Sequence, residues 1–264
     1  MKKHLLFLSI ILLLFSCGEY QKVLKSSDVN YKYNKAIEYY EKEDFARAMP
    51  LFRELTTMLK ATKKSEEVMY YLAYCHYNNS DFITSSYLFK NYVSTFPNGS
   101  HVEECFFMGA YCVYSESPSY SLDATYTQKA IEEFQEYINK YPNGSRKSEC
   151  ENLILELHNK LAYKAFENAK QYYTTEYYKS AIISLNNMLI DYPASKHREE
   201  AHFLILKSSF ELAINSISSK IEERLQNTID AYLVFNDNYP NSKYIKQAEK
   251  IEQQTRENLN NLNN

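Results

Sequence analysis

The sequence contains no tryptophan and only four glycines in 264 residues. Stacking on sugar rings favours tryptophan, so its absence counts against a glycan-binding surface. Few glycines, together with no clear alternation of apolar and polar residues, argue against a sheet-rich fold. Twenty-six tyrosines supply most of the aromatic content instead. We expect an all-α protein whose tyrosines fill the seams between helices.

Basic charge and catalytic motifs are missing as well. The formal net charge is −3, so the chain lacks the excess of basic residues that is typical of nucleic-acid-binding proteins. No HExxH, CxxC, glycine-rich phosphate loop or nucleophile elbow occurs. His197 and His202 are five residues apart, which does not place two ligands on one helical face. We therefore predict no catalytic site, no metal site and no cofactor.

The apolar run near the N terminus is too short to span a bilayer. It covers the eleven residues 5–15, follows the basic residues Lys2 and Lys3, and suits the core of a signal peptide. The following Ser16-Cys17 resembles the bacterial lipobox. That resemblance implies a lipoprotein signal peptide over residues 1–16, a lipidated tether over residues 17–30, and several acyl chains on Cys17 that anchor the protein stably. An ordinary cleaved signal followed by a free cysteine is the alternative.

One phrase recurs along the chain: an aromatic residue, a proline, and a small polar turn that ends in serine. It occupies residues 96–100, 141–145, 192–195 and 239–242. Upstream of each proline, apolar residues recur at steps of three and four, which predicts an amphipathic helix that the proline ends. The serine can cap the next helix, and Ser100 with Glu103 has the spacing of a capping box. A period of 45–51 residues between the prolines indicates stacked supersecondary units.

The units resemble the tetratricopeptide repeat, in which small residues of two paired helices pack against each other. Ala73, Ser85, Phe89 and Pro97 match its signature without gaps. The resemblance implies an all-α solenoid of about five helix pairs plus a C-terminal capping helix. Repeats one to three would occupy residues 31–144. A long bridging helix, repeats four and five and the capping helix would occupy residues 145–260.

Four cysteines remain after Cys17: Cys75, Cys105, Cys112 and Cys150. Cys105 and Cys112 are about 10 Å apart along one helix, and equivalent positions in packed helices are about 8–10 Å apart. Both separations exceed the reach of a disulfide. We predict free, buried cysteines that act as small apolar residues.

In tetratricopeptide repeats the first helix of each pair lines the concave surface. The family's surface positions map here onto Tyr33, Ile37, Tyr40, Tyr70, Tyr74, Tyr77, Phe106 and Val113. Such an aromatic cradle suits extended peptides with apolar or aromatic side chains. The alternative is that the aromatic residues of the terminal first repeat turn inward and serve packing.

A lipidated chain with five such repeats and a long helix from about Ser145 to Tyr173 resembles the BamD family of outer-membrane lipoproteins, from Cys17 to about Ile251. Residues 161–173 are especially similar to the long middle helix of that family. The resemblance implies a non-catalytic component of the β-barrel assembly machinery, held at the outer membrane and facing the periplasm. Its N-terminal repeats would bind unfolded β-barrel proteins, and its C-terminal repeats would dock on a BamA-type insertase. Arg198 is the nearest match to the basic docking residue of that family. Another tetratricopeptide scaffold lipoprotein of the cell envelope and a glycan-binding outer-membrane lipoprotein are the alternatives.

Overall fold

The structure, a computed structural model, describes residues 18–262, and within them the chain is helical without a β-strand. The helices are α1 (Val29–Glu41), α2 (Phe45–Met58), α3 (Ser65–Asn78), α4 (Phe82–Thr95), α5 (Val102–Ser115), α6 (Thr125–Lys140), α7 (Lys147–Thr174), α8 (Tyr178–Asp191), α9 (Arg198–Ile214), α10 (Ser218–Asn238) and α11 (Ile245–Leu262). Within the described residues they form five successive pairs, α1/α2 to α9/α10, with α11 packed on α10, which confirms the predicted fold class. The predicted leader and Cys17 lie outside the described residues.

The turn within a repeat uses left-handed backbone without glycine. The central residue of this turn has a positive φ in repeats one, two and four: Glu43 (58°), Ser80 (59°) and Glu176 (64°). The following N–H then bonds back to the last turn of the first helix, as from Asp44 to the Tyr39 carbonyl at 2.8 Å. This bond defines a Schellman motif. The next helix starts at once, and the Asp44 and Asp81 side chains cap α2 and α4.

Small buried residues mark the contact between the two helices of a pair. Ala36, Ala48, Ala169 and Ala181 are completely buried. In repeat two the Ser85 hydroxyl donates to the carbonyl of Ala73 at 3.0 Å. Side chains of this size let the two backbones approach closely, as the repeat signature requires.

The serine of the recurring phrase does not cap α5 or α9, contrary to the prediction from its spacing. The cap positions before α5 and α9 are His101 and His197, whose side chains make no capping bond. The N–H and hydroxyl of Ser100 instead donate to Oε1 of Glu66, at 2.7 and 2.8 Å. The hydroxyl of the buried Tyr92 donates to the same oxygen at 2.5 Å. We call this arrangement the glutamate clamp, because it ties the start of α3 to the phrase that ends the same repeat.

The clamp recurs in repeat three and, in part, in repeat five. Oε1 of Glu103 accepts from the Tyr137 hydroxyl at 2.7 Å and from the Ser145 N–H at 2.9 Å. Glu103 therefore cannot serve the capping box predicted with Ser100. In repeat five the Ser242 hydroxyl donates to Glu199 at 2.5 Å. The clamp therefore joins the two ends of one repeat and does not join neighbouring repeats.

The chain forms two compact units. Unit 1 consists of the described residues up to Pro118 together with Thr125–Ile154, and unit 2 of Ser119–Ala124 together with the residues from Leu155 onward. The core of unit 1 includes Phe52, Phe89 and Phe134, all completely buried. The core of unit 2 is built around Phe166, Leu185 and Phe235.

The predicted insertion loop lies between α5 and α6, and its residues 119–124 belong to unit 2. The ring of Tyr120 stands 4.5 Å from that of Tyr163 on α7. Nζ of Lys164 donates to the carbonyls of Tyr120 and Leu122, at 3.0 and 2.5 Å. The loop is therefore fixed to the second half of the long helix.

The segment predicted as a polar tether is structured and needs correction. Residues 18–25 are helical and Val23 is completely buried. Tyr20 packs edge-on against Tyr39 at 5.7 Å, and its hydroxyl donates to the Arg47 carbonyl at 3.3 Å. The spacing of Tyr20, Val23 and Leu24 gives this segment an apolar face that covers the first repeat.

The cysteine prediction is confirmed for the four cysteines of the described chain. Cys75, Cys105, Cys112 and Cys150 are free and buried. Burial raises the pKa of Cys150 to about 12, so its thiol stays protonated at neutral pH. These residues act as core groups and not as nucleophiles.

Candidate binding surface

Tyrosines of the first helices form one continuous row across repeats one to three of unit 1. The row runs through Tyr40 on α1, Tyr71, Tyr70, Tyr74 and Tyr77 on α3, and Tyr111 and Tyr114 on α5. Successive ring centroids lie 4.8, 5.6, 4.8, 6.2, 6.3 and 5.4 Å apart. All seven side chains are half-buried. We call these seven residues the tyrosine row.

Carboxylates of the next repeat accept hydrogen bonds from tyrosine hydroxyls in the row and beside it. The Tyr74 hydroxyl donates to Oε1 of Glu104 at 2.5 Å. The Tyr33 hydroxyl makes the equivalent bond to Oε2 of Glu67, also at 2.5 Å. Both glutamates lie in first helical turns, where the helix dipole favours a negative charge. Each bond therefore fixes an aromatic ring and links two repeats.

The hydroxyls of Tyr70 and Tyr74 remain neutral donors at physiological pH. Burial raises the pKa of Tyr70 to about 12, and the charge of Glu104 acts in the same direction. Burial, followed by the hydrogen bond to Glu104, raises the pKa of Tyr74 well above its ordinary value. Tyr70 and Tyr74 therefore present rings and neutral hydroxyls, with no phenolate charge.

Cationic and imidazole groups border the row at the starts of the helices. Nζ of Lys64 lies 4.4 Å from the Tyr33 ring centre, and the His101 ring stacks on Tyr70 at 4.2 Å. The Arg146 guanidinium lies 5.0 Å from the ring centre of Phe107. Because the border carries both signs of charge, apolar and aromatic contact is the main attraction that this surface offers.

The structure brings Tyr40, Tyr70, Tyr74 and Tyr77 together in the row. Tyr33 lies on the same helix as Tyr40 and bonds to Glu67, beside the row. Phe106 lies elsewhere: its ring contacts Tyr141 at 5.8 Å, and Lys140 covers it at 4.7 Å.

The residues of repeat three that match the row are Phe107, Tyr111 and Tyr114, which sequence reasoning missed. The acidic pair Glu103-Glu104 follows Glu66-Glu67 by 37 residues (103 − 66). The same offset carries Tyr70, Tyr74 and Tyr77 onto Phe107, Tyr111 and Tyr114. Aligning Gly109 with Ala73 uses an offset of 36 and leads to Phe106 and the buried Val113 instead.

Arg198 lies in unit 2, at the start of α9. Its guanidinium donates to the carbonyl of Leu189, in the last turn of α8, at 2.8 Å. That carbonyl has no partner within α8, because the helix ends two residues later. Arg198 is half-buried and thus has a packing role beside any role toward a partner.

The part of the chain that the structure describes has neither a membrane-spanning helix nor a metal-binding cluster. No helix in residues 18–262 is both long enough and apolar enough to cross a bilayer. No cluster of three or more histidine, cysteine, aspartate or glutamate side chains in the same range could hold a metal ion.

A family model described as "YfiO: Outer membrane lipoprotein" matches residues 25–225 and 165–263 of the chain. The chain belongs to the YfiO family. This is the family of BamD, an accessory lipoprotein family, and its fold here is a tetratricopeptide-repeat solenoid. No curated protein matches the sequence. Among solved structures, the chain is similar to the "TPR2AB-domain:pHSP90-complex of yeast Sti1". The identity is 13%, the match covers 87% of this chain and 98% of that chain, and the TM-score is 0.42.

Proposed function

We propose that this protein is a non-catalytic, lipid-anchored component of outer-membrane β-barrel assembly, facing the periplasm. It binds unfolded barrel proteins through the tyrosine row and docks on a BamA-type insertase through unit 2. Membership of an outer-membrane lipoprotein family supports the location. The single observation that carries the binding role is the continuity of the row across three repeats.

The row suits an extended segment rich in aromatic and apolar side chains. Its rings are held by their neighbours and by bonds such as the one between Tyr74 and Glu104, so little side-chain freedom is lost on binding. Aromatic surface gives large contact area at low entropic cost and tolerates varied sequences. A chaperone-like receptor for many barrel proteins needs these two properties.

Photo-crosslinking in cells tests the binding role. A photoreactive residue replaces Tyr77, within the row, and in a matched strain it replaces Tyr87 on α4, which is 68% exposed and lies outside the row. We expect barrel proteins to be captured from position 77 and not from position 87. Equal capture at both positions, or capture of no barrel protein at position 77, would contradict the proposal.

The docking role is tested by charge reversal at Arg198. We expect Arg198→Glu to abolish co-purification with the insertase, whereas Lys196→Glu, an exposed neighbour, leaves it unchanged. Because Arg198 also bonds to the Leu189 carbonyl, thermal unfolding of both variants is measured alongside. A folded Arg198→Glu protein that still recovers the insertase would refute the assignment of this residue.

A mild-detergent pull-down of the lipidated protein, followed by mass spectrometry, separates the proposal from its rivals. Recovery of the insertase is the expected result. Recovery of cell-division or other envelope proteins without the insertase would assign the chain to a different scaffold of the cell envelope. Retention on a glycan resin would favour a sugar-binding lipoprotein instead.

A further inference from the structure

A groove in unit 2 runs between α8 and α10, with α9 as its floor. Each helix contributes one stripe of eight residues: 179–186 on α8, 205–212 on α9 and 224–231 on α10. The seven steps from the first to the last residue of such a stripe extend about 10 Å. The groove, with a volume of about 350 Å³, therefore matches the length of two helical turns.

Five of the ten side chains that line the groove are aliphatic. Ile205 on the floor is buried, whereas Ile183 on the wall is 52% exposed. Ile182, Leu212 and Ala231 are half-buried beside them. Exposed apolar side chains that line one concave surface mark an interaction site more often than isolated ones do.

The charged side chains that line this groove are both basic, Lys179 and Arg224. Arg224 donates to the hydroxyl of Ser216, a neutral acceptor, at 2.5 Å. Glu223, its neighbour in the chain, is bound to Lys220 at 2.8 Å. The groove therefore offers positive charge at two points of an apolar surface.

The equivalent groove in unit 1, over α5, differs in charge. It is lined by both signs: Lys90, Lys129, Lys140, Glu132, Glu133 and Glu136. Nζ of Lys90 and Oε1 of Glu133 form an ion pair at 2.5 Å. The positive and negative side chains of this groove therefore balance each other. The comparison makes the positive charge of the unit 2 groove a specific feature and not a general property of such grooves.

We propose that the unit 2 groove binds an acidic amphipathic helix of a partner protein. An apolar stripe of the partner would lie on Ile183, Ile205 and Leu212, and its acidic residues would reach Lys179 and Arg224. The walls are helices whose backbone groups are already bonded, so strand addition is excluded and helix-in-groove recognition fits. This proposal is independent of the tyrosine row and of Arg198.

A synthetic probe tests this proposal directly. The probe is a fluorescein-labelled 15-residue helix with leucines at positions i, i+3, i+4 and i+7 and glutamates on its other faces. Its affinity for the full mature chain is measured by fluorescence anisotropy. We expect Lys179→Glu and Ile183→Asp each to weaken binding by about tenfold or more. A probe with lysines in place of the glutamates should bind about tenfold more weakly than the acidic one.

Ile190→Asp is the matched control, because Ile190 lies on the same helix, is 74% exposed and does not line the groove. It should leave the affinity unchanged, and circular dichroism should show that all variants are folded. Equal binding of the two probes, equal loss at positions 183 and 190, or no binding at all would overturn the proposal. A dimer of the chain that Ile183→Asp dissolves, without probe binding, would assign the groove to a second copy instead.

Discussion

In repeats two and three a complete glutamate clamp joins the start of the first helix to the phrase that ends the repeat. Repeat four has no such clamp. The clamp positions Glu66, Glu103 and Glu199 correspond to Ser148 in repeat four, and the clamp tyrosines Tyr92 and Tyr137 correspond to Met188. In repeat four the Ser195 hydroxyl instead accepts from the His197 N–H at 3.2 Å. The Arg198 guanidinium binds the end of α8.

The difference follows from the length of α7. In repeats two and three the first helix starts beside its own closing phrase, so a first-turn glutamate can reach the serine. Helix α7 has 28 residues, and its part in unit 2, which carries Phe166 and Ala169 against Leu185, lies several turns after the helix start. No helix terminus is present there to offer a first-turn carboxylate. The regular repeats thus provide the rigid aromatic row, whereas repeat four ends without a clamp and its last helix is bound by Arg198 of repeat five.

The largest expected effect is the loss of a clamp. Glu103→Ala leaves the Tyr137 hydroxyl and both donors of Ser145 without their acceptor and should lower the free energy of unfolding by about 2–3 kcal/mol. Ser148→Ala, at the corresponding exposed position of repeat four, should cost less than about 0.5 kcal/mol. Urea unfolding followed by circular dichroism measures both. Equal effects would show that the clamp does not stabilise its repeat.

Acid should weaken the clamped repeats selectively. Hydrogen bonds, from Tyr92 above all, hold the pKa of Glu66 below its ordinary value, and Tyr137 does the same for Glu103. A lowered folded pKa means that the unfolded chain binds more protons, so this stabilisation is present above the unfolded pKa of about 4.3 and is lost as pH falls through the folded values. The stability gap between wild type and Glu66→Gln/Glu103→Gln should therefore shrink between about pH 6 and pH 3. A gap independent of pH would refute this account.

Repeat five allows the clamp to be completed. Phe235 occupies the place of Tyr92 and Tyr137, five residues before the proline, and Glu199 already binds Ser242. Phe235→Tyr should place a hydroxyl near Glu199 and raise the free energy of unfolding by about 1 kcal/mol. Loss of stability would show that the hydroxyl is buried without an acceptor, and that repeat five differs from repeats two and three in more than one side chain.

The smallest effect concerns the turn that repeats one, two and four share. Glu176→Gly removes the backbone strain of a left-handed residue at φ 64°. It should raise the free energy of unfolding by about 0.5–1 kcal/mol. Gln171→Gly, in the last turn of α7, is the control and should destabilise by a similar amount. A destabilised Glu176→Gly protein would mean that the glutamate side chain contributes more than its backbone strain costs.

The fold was predictable because its signals are local. Helical periodicity, the proline phrases and the small-residue pairs act within one or two helices and mark each element. The clamp was not predictable, because Ser100 and Glu66 are 34 residues apart and Ser100 also has the local spacing of a helix cap. Ser100 forms long-range hydrogen bonds to the charged Glu66 instead of the local helix cap that its spacing predicts. The ring positions of the tyrosine row were predicted where the repeat spacing is regular, at Tyr70, Tyr74 and Tyr77. In repeat three the predicted positions are off by one residue, because Gly109 gave the wrong alignment.

The central claim is that the tyrosine row binds unfolded barrel proteins. The most direct test titrates a synthetic peptide with the C-terminal strand sequence of an outer-membrane β-barrel protein into wild type, Tyr111→Ala and Tyr87→Ala. We expect Tyr111→Ala, which removes a ring that sequence reasoning missed, to weaken binding by about tenfold. Tyr87→Ala should change the affinity by less than about twofold. Equal affinities for all three proteins, each shown to be folded, would contradict the claim.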